Sequence, residues 1–330
     1  MYKLVCYVVL MAIVVVMLPM LIIKGCGPEV VDKPPAPESE GVKVKVYIAS
    51  EDRVEDMYLE EYLKGVVAAE MPAEFEAEAL KAQAVAARTY AYGRMMKIYT
   101  PKDDKHSGAD ICTDSLHCQA WMSKSDALKK WSIFSAGRYW KKIENAVIET
   151  KGIIITYNGV VINPVYHSNS GGMTENAEEV WGGKEVPYLR SVQSGGEEDS
   201  PAYMREISFK IADFCGILRK EFENIKLDEK DILKDIKIME RTGSGRVKTI
   251  RVGNVDLKGT EFRKLFSLRS TNFTVEKDGK DKLKITAIGN GHGVGMSQWG
   301  ANYLARNGAT FEEIIKYYYT GVELGRIQDR

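Results

Sequence analysis

The sequence is short of the features that most often declare a function. Of 330 residues only five are cysteine (Cys6, Cys26, Cys112, Cys118 and Cys215) and only four are histidine. Five cysteines cannot all pair, and Cys6 sits in an apolar run, which argues against a disulfide-built scaffold. There is no excess charge: 46 Lys and Arg are matched by 46 Asp and Glu. Nothing therefore favours a polyanion, and no nucleic-acid partner is expected, while neutral polymers such as glycans stay open. No internal repeat is visible. Neither glycine-rich stretch carries the lysine that a phosphate-binding loop needs.

What is present begins at the N-terminus. "LVCYVVLMAIVVVMLPMLII", Leu4 to Ile23, holds twenty residues without a charge, with Lys3 before and Lys24 after. As a helix it would span roughly 30 Å, the thickness of a bilayer's hydrocarbon. A secretory signal has a shorter core and a small-residue cleavage site. The reading is a single-pass anchor at 4–23 after a short cytoplasmic stretch, 1–3. Lipidation at Cys26 is the alternative, although Lys24 sits badly for it. Residues 24–41 are a proline-rich linker, with four prolines in 27–41, reading as a tether for an exported domain at 42–330.

Within that domain "VKVKVYIA" alternates and should be the first strand. Two helices are expected at about 54–71 and 76–98, then a long polar segment to about 147. "GIIITYNGVVINPVYH" reads as a hairpin about Asn158-Gly159, a pair suited to a type I′ turn. Residues 206–238 look helical and charged, a helical insertion. "RVKTIRV", "FTVEK" and "LKITAI" are strands, and two helices close the chain. Helices and strands segregate without βαβ alternation, so the expected class is α+β with antiparallel strands.

The first helix places Leu59, Leu63, Val66 and Glu70 on one stripe, and Pro72 stops it near Glu70. A carboxylate at a helix C-terminus among apolar neighbours has its ionised form disfavoured by the dipole and by desolvation. A carboxyl kept protonated is what a general acid needs. The bland alternative is a solvated glutamate, or one paired with Arg88. On the second helix Gln83, Arg88 and Tyr90 flank a small-residue stripe, again with an ordinary core helix as the alternative. "YHSNSGGMTE" (166–175) and "GNGHGVGMSQWGA" (289–301) are polar, glycine-rich loops. Their hydroxyls, amides and backbone N–H groups, those of Ser168, Ser170, Gly171, Gly172, His292, Gly293 and Gln298 included, suit a sugar, with Tyr166 and Trp299 available to its apolar ring faces. Simple turn chemistry is the alternative.

"VVAAEMPAEFEAEALKAQAVAARTYA", "VYHSNSGGMTE", "LKGTEFRKLFSLRSTNFTV" and "NGHGVGMSQWGANYLARNGATFEEIIKYYYTG" together resemble, in that order, the stage II sporulation protein D family, over most of residues 42–325. The resemblance implies a membrane-anchored lytic transglycosylase of endospore formers. Such an enzyme cuts peptidoglycan glycan strands during engulfment, from the mother-cell membrane facing the forespore. It also implies a preference for strands denuded of stem peptides by a partner amidase, stage II sporulation protein P, and a membrane partner in the engulfment complex. By the same resemblance Glu70 is the catalytic acid, and Arg88, Tyr166, Ser168 and the loop His292–Gln298 belong to the substrate cleft. A looser relative, the amidase-enhancer type, implies the rival reading of a non-catalytic wall-binding protein.

"HSGADICTDSLHC" gathers His106, Cys112, His117 and Cys118, thiolates and imidazoles of the kind zinc takes. The spacing is not that of a zinc finger, and a Cys112–Cys118 disulfide is the alternative on an exported face. The glutamate mechanism has no step for a metal. Zinc is therefore expected in a structural role, with a zinc hydrolase as the further rival.

Overall fold

The computed structural model describes residue 11, residues 41–99, residue 106 and residues 108–327. The proposed anchor at 4–23, residue 11 apart, and the linker at 24–41, Gly41 apart, lie outside the described residues. Among those described, no helix is long and apolar enough to cross a membrane. The unit that begins at Gly41 mixes helices with mostly antiparallel strands, as an α+β class requires.

Strand β1 (Lys43–Ile48) buries Val44, Val46 and Ile48, the alternation visible in its sequence. It pairs antiparallel with β2 (Arg53–Tyr58) and parallel with β3 (Ile111–Cys112). Residues 54–58, expected in the first helix, are this β2. A turn with Asp52 at φ 49° returns the chain, and each residue from Arg53 to Tyr58 finds a partner on β1. Helix α1 (Leu59–Glu70) therefore starts five residues later than the apolar pattern suggested. It stops where expected: Met71 is extended, as a residue before proline prefers.

Helix α2 (Ala77–Met95) is the centre of the first core. It packs against α1, α4 (Ala136–Glu149), α9 (Gln298–Arg306) and α10 (Phe311–Tyr318). Neighbours on several sides demand small side chains, and Ala79, Ala82, Ala84, Ala86, Ala87 and Ala91 are all buried. The short α3 (Lys124–Lys130) leads into α4. The hairpin β4 (Ile153–Tyr157) and β5 (Val160–Val161) turns at Asn158 and Gly159, with φ of 50° and 74°. Positive φ at both positions is what a type I′ turn needs. A last strand, β14 (Glu323–Arg326), covers the other edge of β4; the sequence reading had no strand there.

After β6 (Tyr166–His167) and α5 (Ala177–Trp181) the chain enters a second lobe with its own core. It contains β7 (Met204–Lys210), α6 (Ile211–Glu221), α7 (Ile232–Asp235), β8 (Ile236–Arg241), β9 (Val247–Val252), β10 (Val255–Lys258), α8 (Gly259–Leu265), β11 (Phe273–Asp278) and β12 (Lys282–Ile288). These form two three-stranded antiparallel sheets, β10-β9-β8 and β11-β12-β7, around stacked Phe214, Phe262, Phe266 and Phe273. The helical insertion expected at 206–238 is thus helical only in its middle. Its ends pair as β7 and β8, and the lobe runs on to Ile288. The chain then returns to the first core through β13 (Met296–Ser297), which pairs parallel with β6.

Candidate active site

Glu70 ends α1 with its carboxyl partly buried. Three donors reach it: the backbone N–H of Ala120 at 2.8 Å from Oε1, and the side chains of Tyr166 and Gln298. Burial nevertheless holds the carboxyl above the usual glutamate range, the three hydrogen bonds offsetting only part of the desolvation. Among the described residues, no other acid is one of the groups that perturb it.

Each donor is itself held. Gln119 Nε2 donates to the Tyr166 hydroxyl at 3.0 Å, and Gln119 Oε1 accepts from Tyr62 at 3.3 Å. A relay thus runs Tyr62, Gln119, Tyr166, Glu70. Burial and the facing Glu70 keep the Tyr166 phenol protonated, so it stays a donor. On the other side Gln298 Nε2 donates to Gln83 Oε1 at 3.3 Å. The parallel pair of β6 with β13 brings Tyr166 level with Met296, which sets Gln298 beside the same carboxyl. Ser168 stands two residues beyond Tyr166 and partly exposed, and its carbonyl accepts the N–H of Trp299. Glu70, Tyr166, Gln298 and, behind them, Gln83 are therefore brought together.

Other expected cleft residues have structural work elsewhere. Arg88 is fully buried and pairs with Glu60, not Glu70, at 2.6 and 2.9 Å. It also donates to the carbonyls of Val147 and Ile153, tying the end of α4 to α2. Tyr90 hydrogen-bonds Cys118 and faces the cysteine–histidine group instead of a sugar cleft. Ser170, Gly171 and Gly172 wrap a carboxylate of the chain itself, that of the fully buried Glu197. Ser170 Oγ donates to it at 2.9 Å and the two glycine N–H groups at 2.7 and 3.3 Å. Their donors are spent, so none is left for a ligand.

His292 and Gly293 also make contacts within the fold. The His292 ring accepts from Val294 N–H at 3.1 Å and donates to the Tyr166 carbonyl. It packs 5.5 Å from the His167 ring, which alternation along β6 turns away from the Tyr166 side chain. His292 therefore braces Tyr166 from behind. Burial and the nearby Arg263 push it down to about 4, so it is neutral. Gly293, at φ 85°, lies against the Arg246 guanidinium, where a Cβ would come within 2.3 Å of Nη2. Arg246 in turn donates to Ser170 O at 2.8 Å, joining the second lobe to the first.

Sequence reasoning missed Tyr62, Gln119, Ala120, Glu60 and Glu197. Ala120 acts through its backbone, which leaves no mark in a side-chain pattern. For Glu197 the Ser-Gly-Gly turn was the available signal, since its N–H groups needed an anion.

The four metal-ligand candidates do converge. The donor atoms of His106, Cys112, His117 and Cys118 all lie within 4.8 Å of one another, and both cysteines are free thiols. His117 Nδ1 is 3.3 Å from Cys112 Sγ and 3.5 Å from Cys118 Sγ, and His106 Nε2 is 3.6 Å from Cys118 Sγ. Ligands of a tetrahedral zinc stand roughly 3.3–3.8 Å apart, so these three separations suit one ion, and the group could hold one after a small contraction of its widest pair. His106 Nδ1 donates to the Ala109 carbonyl at 3.1 Å, which turns Nε2 toward Cys118 and toward Arg94 Nη2 at 3.0 Å, so an ion bound there would have to displace the Arg94 contact. Hydrogen bonds from Cys112 and Tyr90, with Arg94 nearby, favour Cys118 as the thiolate, the form a metal binds.

Residues 47–157 match the family model for stage II sporulation protein, and residues 196–295 match a domain of unknown function. The stage II sporulation protein D of Bacillus subtilis is 40% identical over 283 residues, covering 86% of this chain and 79% of that protein. That of Bacillus amyloliquefaciens is 40% identical over 301 residues, covering 91% and 82%. The amidase enhancer of Bacillus subtilis is 28% identical over 310 residues, covering 79% of this chain but 40% of the relative. With residues 166–175 and 289–301 holding a glutamate between them in a chain so closely matched along its length, the protein belongs to the stage II sporulation protein D family.

Proposed function

We propose that this chain is a lytic transglycosylase that cleaves peptidoglycan glycan strands in sporulation, with Glu70 as both acid and base. The observation that carries the reading is one partly buried carboxyl, raised by desolvation, held by three donors and with no second acid among the described residues acting on it. Protonated Glu70 gives its proton to the oxygen linking muramic acid to the next glucosamine as the C1–O bond breaks. The muramoyl 6-hydroxyl then attacks C1 and returns its proton to the Glu70 carboxylate, closing a 1,6-anhydro ring. No water is consumed. A hydrolytic glycosidase needs a second carboxylate as base or nucleophile, and this route does not.

Tyr166, Gln298 and Ala120 N–H stabilise the carboxylate left after the first transfer and fix its orientation for the second. His106, Cys112, His117 and Cys118 would hold zinc in a closed four-ligand shell, whose contribution is a cross-link within the polar segment. In this reading Leu4–Ile23 anchors the domain to the mother-cell membrane facing the forespore. The substrate is strands already stripped by an amidase, stage II sporulation protein P, within an engulfment complex that includes a membrane partner.

The test is mass spectrometry of products from denuded glycan strands. Wild-type protein should release 1,6-anhydromuramoyl ends, and Glu70→Gln should release none while melting no lower than wild type. Reducing muramic ends would instead mean hydrolysis. Binding without cleavage, coupled to stimulation of an amidase, would favour the enhancer reading that the 28%-identical relative suggests.

A further inference from the structure

The turn between α3 and α4 carries two adjacent apolar side chains pointing into solvent: Ile133 is 87% exposed and Phe134 96%. Scattered apolar residues on a surface need no explanation, but two bulky neighbours with almost no contact at one tip do. Their flanks in sequence are basic, although Lys142 is turned inward and donates to the carbonyls of Glu74 and Phe75. From Lys124 to Lys142 the chain has six cations (Lys124, Lys129, Lys130, Arg138, Lys141 and Lys142) and one acid, Asp126, within a sequence of zero net charge. Lys129 and Lys141 keep 77% and 65% of their side chains exposed, even though each touches an acid, Asp126 and Glu144. Below the tip Trp131 packs edge-on against Tyr139 at 5.7 Å, and Trp140 is buried under Lys124, so the tip stands on an aromatic base.

We infer that this tip docks on an anionic lipid surface, with Ile133 and Phe134 entering the headgroup–acyl boundary and the lysines meeting lipid phosphates. An exposed apolar pair flanked by exposed lysines matches a bilayer interface, where apolar burial and attraction to anionic lipid add. It does not match the core of a protein interface, from which lysine is depleted. Nor does it match a sugar platform, since Ile133 offers no flat face to a ring. The inference does not depend on the proposed catalysis or anchor.

The domain from Gly41 onward suits the test, because both cores are built from residues after that point. It should sediment with sucrose-loaded phosphatidylcholine vesicles containing phosphatidylglycerol, and far less with phosphatidylcholine alone. Raising salt to about 0.5 M should release it, as screening predicts. Ile133→Ser with Phe134→Ser should lower the partition at least ~tenfold without changing the melting temperature. Lys129→Glu with Lys130→Glu should lower it on anionic vesicles. Failure of the wild-type domain to sediment with anionic vesicles would overturn the inference, as would undiminished binding by the double serine variant. So would self-association that the serine variant abolishes in the absence of any vesicle binding.

Discussion

Arg88→Met separates a structural arginine from a substrate-binding one. In the fold Arg88 has no solvent contact, grips Glu60 with two nitrogens and donates to the carbonyls of Val147 and Ile153. Methionine fills much of the same volume but leaves the Glu60 carboxylate without its cation. Removing one partner of a buried ion pair costs about 3–5 kcal/mol. Glu60 keeps 21% of its side chain exposed and can recruit water, which places the loss near the lower end, ~3 kcal/mol. At about 2 °C per kcal/mol for a domain this large, the melting temperature should fall by roughly 6 °C. Circular dichroism melts measure this, and turnover of glycan well below the melt should stay within about threefold of wild type. Glu60→Gln should destabilise too, and the double variant should cost less than the two singles summed. An unchanged melt together with lost glycan binding would refute the structural assignment and return Arg88 to the cleft.

Glu70 sets a pH dependence: because burial raises its pKa, the acid form persists above the ordinary glutamate range, and kcat/KM should fall as pH rises through the raised value. By linkage the native state holds this proton more tightly than the unfolded chain, so that contribution to stability is complete below the unfolded pKa and lost through the folded one. Glu70→Gln should therefore melt higher than wild type at neutral pH and level with it in acid. Purified protein should carry close to one zinc per chain by elemental analysis. Cys112→Ala should remove it and lower the melt, and a metal-free protein with a Cys112–Cys118 disulfide in its peptide map would refute the site. Gly293→Ala should destabilise by about 1–3 kcal/mol from the left-handed backbone alone, more once Arg246 is displaced, seen as a lower denaturant midpoint.

Some of this was open to reading from residues alone, and the reasons are physical. The turn at Asn158-Gly159 and the end of α1 at Pro72 follow from local backbone preference, so they need no tertiary knowledge. Glu70 stood out because an acid on an apolar stripe breaks the helix pattern. The polar partners did not stand out, since one sequence offers Arg88 several acids and only packing selects Glu60. Residues 54–58 failed because a hairpin partner overrode an apolar pattern that also fits a helix. The glycine-rich loops misled for a related reason. Their donors are real, but Glu197 and Arg246, distant in sequence, occupy them first.

The two-residue ladder of β6 with β13 has a kinetic side. Tyr166 and Gln298 reach Glu70 only when that ladder closes, and the whole second lobe lies between its strands. Closing so long a connection costs chain entropy that grows with its length, whereas a lobe already condensed on its own phenylalanines brings the two ends close beforehand. A chain emerging from synthesis therefore carries Glu70 long before its phenol and amide neighbours, Tyr166 and Gln298, arrive. The proposed glycan cleavage would then switch on late, near completion of the last hundred residues' folding, and a chain cut short inside the second lobe would lack it.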